Sequence, residues 1–82
     1  MIHLIFSNFG FQKCKSYISS GDEIVFLEDG CYVAHPIDQV NSYMLTDHAN
    51  ERSVRDTEEM TKCDMSHLVQ LLTQHEKSIS WK

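Results

Sequence analysis

The groups in this chain with chemistry to offer are three cysteines, five histidines and twelve acidic side chains. Cys14 stands between Lys13 and Lys15. A cationic setting favours the thiolate, the form that attacks sulfane sulfur and carries it as a persulfide. Neighbouring helical residues point about 100° apart, so the two lysines supply a diffuse field instead of a contact. Cys14 also shares helical spacing with Phe11 and Ile18, and a second reading therefore buries it as a small apolar side chain with inert sulfur. Both readings stand at this point. Cys31 follows a turn glycine and Cys63 ends a presumed buried strand, so these two are expected to be structural.

Other chemistries find little footing. There is no CxxC and no HxxxH. His67 and His75 fall on one expected helix about 12 Å apart, too far to share an ion. The histidines read as surface or cap residues, and neither a metal nor a cofactor is expected. Gly10, Gly21 and Gly30 stand singly as routine turn residues, so no phosphate cradle forms. No Gly-x-Ser-x-Gly elbow appears.

With seven Lys and Arg against twelve Asp and Glu, the formal charge is −5, and the average surface repels phosphate. The longest basic cluster is the Lys13 to Lys15 pair, and direct nucleic-acid binding is not expected. The opening MIHLIFSNFGF lacks a basic n-region and a small-residue cleavage site, so no secretory signal is expected. No apolar run reaches the roughly 18–20 residues of a membrane span. An odd cysteine count does not pair within one chain, which fits a reducing, cytoplasmic setting.

The elements that must position Cys14 follow from local pattern. Residues 2–6 read as a strand closed by Ser7, Asn8 and Gly10, and residues 11–19 as a helix ended by Gly21. This places Cys14 after the first strand, near the carboxyl edge where open α/β folds put their sites. Within residues 22–29, the run Ile24, Val25, Phe26, Leu27 has no polar face and suits a parallel-sheet strand covered on both sides. Asp29-Gly30 makes a turn, and residues 31–35 form a helical stub stopped by Pro36. Residues 40–45 are a third strand, followed by a short polar helix to about Arg52 with Thr46 and Asp47 as caps. Residues 51–64 are charge-dense and mixed in sign, a solvated face or loop, with a weak fourth strand over residues 60–63.

Met65, Leu68, Val69 and Leu72 make one apolar helical stripe, N-capped by Asp64 or Ser66. Residues 78–82 alternate, with Ile79 and Trp81 on one side, and close the sheet. The fold expected is a single α/β domain over residues 1–82, a mainly parallel sheet of four or five strands flanked by helices. A chain this short buries only about 60–65% of the surface its unfolded form exposes. Trp81 is therefore expected to be at least half buried, and a dimer or larger species is expected when the chain is alone.

Several segments taken in order resemble the TusB/DsrH family of small sulfur-relay subunits, the DsrE/DsrF/DsrH-like proteins. The strongest runs Gly21-Asp22-Glu23-Ile24-Val25-Phe26-Leu27-Glu28-Asp29-Gly30-Cys31-Tyr32-Val33-Ala34. It is similar to that family's Gly-Asp-Glu, apolar strand, Glu/Gln-Asp-Gly and Val/Ile-Tyr-Ala-Ala pattern. The Met-Ile-His-Leu opening, the helix start Asp64-Met65-Ser66-His67-Leu68-Val69 and the ending from His75 to Trp81 fit the same pattern. A shorter middle and a polar stretch from Ala49 to Thr57, where Ala-Arg-Gly is common, depart from it.

The resemblance implies a DsrEFH-like fold. It implies a heterohexamer with sister chains of the TusC/DsrF and TusD/DsrE types, whose principal sulfur-carrying cysteine belongs to the TusD/DsrE sister. The product is 2-thiolation of the tRNA wobble uridine in the Tus branch and sulfur oxidation in the Dsr branch. DsrH-type members carry a cysteine seven residues before the strand-motif glycine, as Cys14 precedes Gly21, so the resemblance implies Cys14 as the candidate catalytic residue. Two other functions remain in view: a purely structural or interaction subunit with inert cysteines, and a stand-alone thiol enzyme.

Overall fold

The run Ile24, Val25, Phe26, Leu27 has no polar side to offer water, and it lies in the middle of the molecule. The computed structural model describes residues 1–54 and 60–82. Strand β2 (Glu23–Phe26) is flanked by β1 (Ile2–Ile5) and β3 (Asn41–Leu45). β4 (Thr61–Cys63) pairs outside β3, and β5 (Ser78–Trp81) outside β1. Every pairing is parallel, in the order β4-β3-β2-β1-β5.

Right-handed crossovers then decide the layers. From β1 to β4 the chain steps in one direction, so its connections stack on one face: helix α1 (Asn8–Cys14), a 3₁₀ helix over Glu28–Val33, and helix α2 (Thr46–Glu51). The last crossover returns from β4 to β5 at the opposite edge, which puts helix α3 (Met65–Gln74) on the other face. Two cores result. Ile5, Ile24, Phe26 and Met44 meet Phe11, Cys14, Cys31 and Ala49 on the first face. Ile2, Val25, Leu45 and Cys63 meet Leu68 and Leu71 on the second.

Several local readings change. The first helix begins at Asn8, not at residue 11, because Ser7 is its N-cap and accepts the Gly10 N–H at 3.0 Å. It ends at Cys14 and tightens into a 3₁₀ turn over Lys15–Tyr17. Gly10 and Gly30 are not routine turn residues: a Cβ at Gly10 would overlap the Trp81 carbonyl, and one at Gly30 the Ile5 carbonyl. Gly21, with φ +90°, is the turn glycine its position implied.

Helix α2 starts at Thr46, preceded by Leu45 with no side-chain cap, so Thr46 and Asp47 do not act as caps. Asp64 caps α3, accepting the His67 N–H at 2.7 Å. The expected stripe on α3 splits, since Leu68 and Leu71 are buried whereas Met65, Val69 and Leu72 stand 47%, 54% and 36% exposed. Of the charge-dense stretch over residues 51–64 and the polar departure reaching Thr57, residues 55–59 lie outside the described residues. Trp81 packs, largely buried, against the first core.

Candidate functional site

Cys14 is the last residue of α1 and has no solvent exposure. Helix α1 runs antiparallel to β1, and its seven residues at about 1.5 Å each carry the chain back past the strand. Cys14 therefore comes to the amino edge of the sheet, close enough to feel the charge of Asp22 just before β2. The expected carboxyl-edge placement is corrected by this direction of travel.

The expected cationic activation is corrected as well. The Lys13 ammonium lies 4.6 Å from the Phe9 ring centroid and that of Lys15 lies 5.4 Å from Phe11, cation–π contacts with rings and not with the sulfur, and neither lysine is among the groups that shift the Cys14 thiol. Burial, with Asp22 adding to it, pushes the Cys14 thiol up to about 11. At neutral pH the neutral thiol is the prevailing form, which is a poor nucleophile.

Cys31 and Cys63 are buried too, and all three cysteines are free thiols. Burial pushes each of these two up to about 11. Cys31 Sγ points to the carbonyls of Phe26 (3.7 Å) and Leu45 (4.0 Å), and Cys63 Sγ to that of Asp64 (3.4 Å). Among the described residues no cysteine is hydrogen-bonded to a side-chain base, and none of the three reaches the surface.

What it does bring together is a set of polar residues the local pattern did not single out. His3, read as surface or cap, is fully buried inside β1. Its Nδ1 receives the Trp81 indole N–H at 3.0 Å, and its Nε2 meets Asp22 Oδ2 at 2.9 Å. An indole nitrogen only donates, so His3 Nδ1 must be the acceptor and the ring proton resides on Nε2, donated to Asp22. Asp22 also accepts the Ser19 N–H at 2.9 Å and faces the N-terminal ammonium at 3.4 Å. Burial alone would raise the Asp22 pKa, but these hydrogen bonds and the ammonium outweigh it and hold it below 3.8. One signal was available: a histidine within an otherwise apolar strand that is covered on both faces needs a partner.

On the opposite face Glu23 does similar work. His75 Nε2 lies 2.7 Å from Glu23 Oε2, and Tyr43 Oη and Asn41 Nδ2 donate to Oε1 at 3.2 and 3.4 Å. Burial opposes ionisation here as well, yet the three hydrogen bonds keep the Glu23 pKa below 4.5. Both networks pin strands at the amino edge, away from the carboxyl edge where parallel sheets place their ligands.

At the carboxyl edge Glu28, in the left-handed region at φ 50°, donates its N–H to His48 Nδ1 at 3.0 Å, and Arg52 Nε donates to Asp29 at 2.9 Å. Between β1 and β5 the edge is filled. Gly10 packs on the Trp81 carbonyl, which accepts the Phe6 N–H at 3.0 Å, while Lys82 covers the Phe6 ring. Among the described residues no cavity opens, no group of three His, Cys, Asp or Glu is arranged to hold a metal ion, and no helix is long and apolar enough to cross a membrane.

No protein-family profile matches the chain, and no curated protein matches it. Among solved structures, the solution NMR structure of protein Tm0979 from Thermotoga maritima is similar in fold, with a TM-score of 0.66. It is 20% identical, and the match covers 94% of this chain and 97% of that one.

Proposed function

We propose that this chain is a subunit of a cytoplasmic sulfur-relay assembly of the TusB/DsrH kind, serving as a structural partner and not as a sulfur carrier. The observation that carries the second half is the complete burial of Cys14, Cys31 and Cys63 as thiols. The ordered resemblance along the chain and the five-stranded parallel fold support the first half.

On this reading the persulfide chemistry belongs to a TusD/DsrE-type sister. Its thiolate attacks the sulfane sulfur of a donor persulfide, a new S–S bond forms, the donor's S–S bond breaks, and the donor leaves as thiolate. The sulfur goes onward to wobble-uridine thiolation, or to sulfur oxidation in the Dsr branch. Cys14 as carrier is the second reading, favoured by its seven-residue spacing to Gly21. It requires α1 to move away from the sheet before the sulfur meets any reagent.

Affinity purification of the tagged chain from its native host tests the assembly. Recovery of DsrE- and DsrF-type sisters in equal amounts is expected, and their absence would remove the basis of the sulfur-relay reading.

A further inference from the structure

The formal charge of −5 is not spread evenly along the chain. Residues 1–21 hold two lysines and no acidic residue, whereas residues 22–59 hold ten of the twelve acidic residues. Helix α1 carries the basic stretch and packs on β1 and beside β5, where Gly10 meets the Trp81 carbonyl. Glu28, Asp29, Asp47 and Glu51 lie instead on the connections that follow β2 and β3. Asp22, the first acidic residue after α1, is already engaged by His3 and the N-terminal ammonium.

The same shoulder exposes aromatic rings, with Phe9 69% and Tyr17 63% accessible. Lys13 stands one turn after Phe9 and holds its ammonium 4.6 Å from the centre of that ring. The chain then tightens into its 3₁₀ turn, and Tyr17 swings toward β5, its ring 5.4 Å from that of Trp81. At about 1.5 Å per α-helical residue and 2.0 Å per 3₁₀ residue, Phe9 and Tyr17 stand roughly 13 Å apart along the axis. Neither Lys13 nor Lys15 meets a carboxylate among the described residues, so both charges are open to a ligand.

We infer that this shoulder takes a short run of single-stranded nucleic acid, with bases stacked on Phe9 and Tyr17 and the phosphates between them facing Lys13 and Lys15. The average charge argues against such a ligand, but its distribution leaves this side of the molecule basic. Shape favours a single strand over an acidic protein segment. No cavity opens among the described residues, so a protein partner finds no pocket for an anchoring side chain. A single strand needs none, because its base faces stack on exposed rings and each nucleotide brings its own negative charge. A duplex keeps its base faces closed and offers the rings nothing.

With two lysines engaged, the logarithm of affinity should fall against the logarithm of salt concentration with a slope of about −1.4. The binding is therefore weak, with a Kd on the order of 10–100 μM at low salt. It does not rest on the sulfur-relay reading: failure to recover sister chains leaves it intact, and failure to bind a strand leaves that reading intact.

Fluorescence anisotropy of labelled decanucleotides, one of RNA and one of DNA, titrated with the purified chain tests it. Binding of either strand is expected, and their relative affinity tells which sugar fits the shoulder. F9A and Y17A should each weaken binding about fivefold or more. The circular-dichroism melt of F9A should stay unchanged, because the ring it removes is exposed. K13Q should halve the salt slope to about −0.7, which a loss of structure would not do. V69A, on α3 at the opposite face, should bind like the wild type. Unlabelled duplex and polyglutamate should compete at least about tenfold less well than the unlabelled strand. No binding of either strand at millimolar protein, F9A and Y17A equal to V69A, an unchanged slope in K13Q, or polyglutamate or duplex competing as well as the strand would overturn the inference.

Discussion

Trp81 donates its indole N–H to the buried His3 Nδ1, which has no other partner among the described residues, and so ties β5 to β1. W81F keeps an aromatic ring but leaves His3 Nδ1 unsatisfied, and should cost about 1–3 kcal/mol by urea unfolding. The carboxylates make a separate prediction about pH. Asp22 and Glu23 have folded pKa values below their ordinary 3.8 and 4.5. A lowered folded pKa contributes stability that is fully present above the unfolded value and lost as pH falls through the folded one. Urea midpoints should therefore be flat above about pH 5 with respect to these groups and should fall steadily at lower pH. In D22N or E23Q part of that acid slope should vanish, and an unchanged slope would show that the pairs contribute nothing. Cys14 behaves oppositely to a nucleophile: with its thiol at about 11 and no exposure, brief iodoacetamide treatment at neutral pH should leave it unlabelled until urea is added.

At the scale of elements, the close approaches are the vulnerable points. G10A and G30A each drive a methyl group into a backbone carbonyl of the sheet and should cost several kcal/mol. G21A meets open space but strains a φ of +90°, and should cost about 1 kcal/mol. Asp64→Ala removes a cap and should cost about 1 kcal/mol. Thermal melts of the four variants check this order.

Four of the strands were legible because each is a short apolar or alternating run, and the covered strand over residues 24–27 announced a parallel sheet; the fourth, Thr61–Cys63, has no such pattern and was legible mainly from its place between two helices. The start of α1 was not, because Ser7 and Gly10 are loop residues by local chemistry, and only the contact with Trp81 explains a glycine inside a helix. The site was hardly legible at all. A cysteine between two lysines looks activated in sequence, whereas packing against the sheet buries the sulfur and the lysine ammonium groups lie over the Phe9 and Phe11 rings. The His3, Asp22 and Trp81 network joins residues up to 78 positions apart, a distance that no local pattern spans.

For the whole molecule, β5 closes the sheet through its pairing with β1 and carries Trp81 into the first core. Deleting residues 78–82 removes at least the burial of one tryptophan, about 3 kcal/mol, which for a domain of this size lowers the Tm by roughly 12 °C or more. The proposed role is that of a subunit that lends a sulfur-relay assembly its surface and not its thiol. Its most direct test is the intact mass of every chain in an assembly reconstituted with TusC/DsrF- and TusD/DsrE-type sisters, read after exposure to a persulfide donor and repeated with C14S. One added sulfur atom is expected on the TusD/DsrE-type sister, none on this chain, and the same loading with C14S. Added sulfur on Cys14, or loss of loading in C14S while the assembly stays whole, would contradict it.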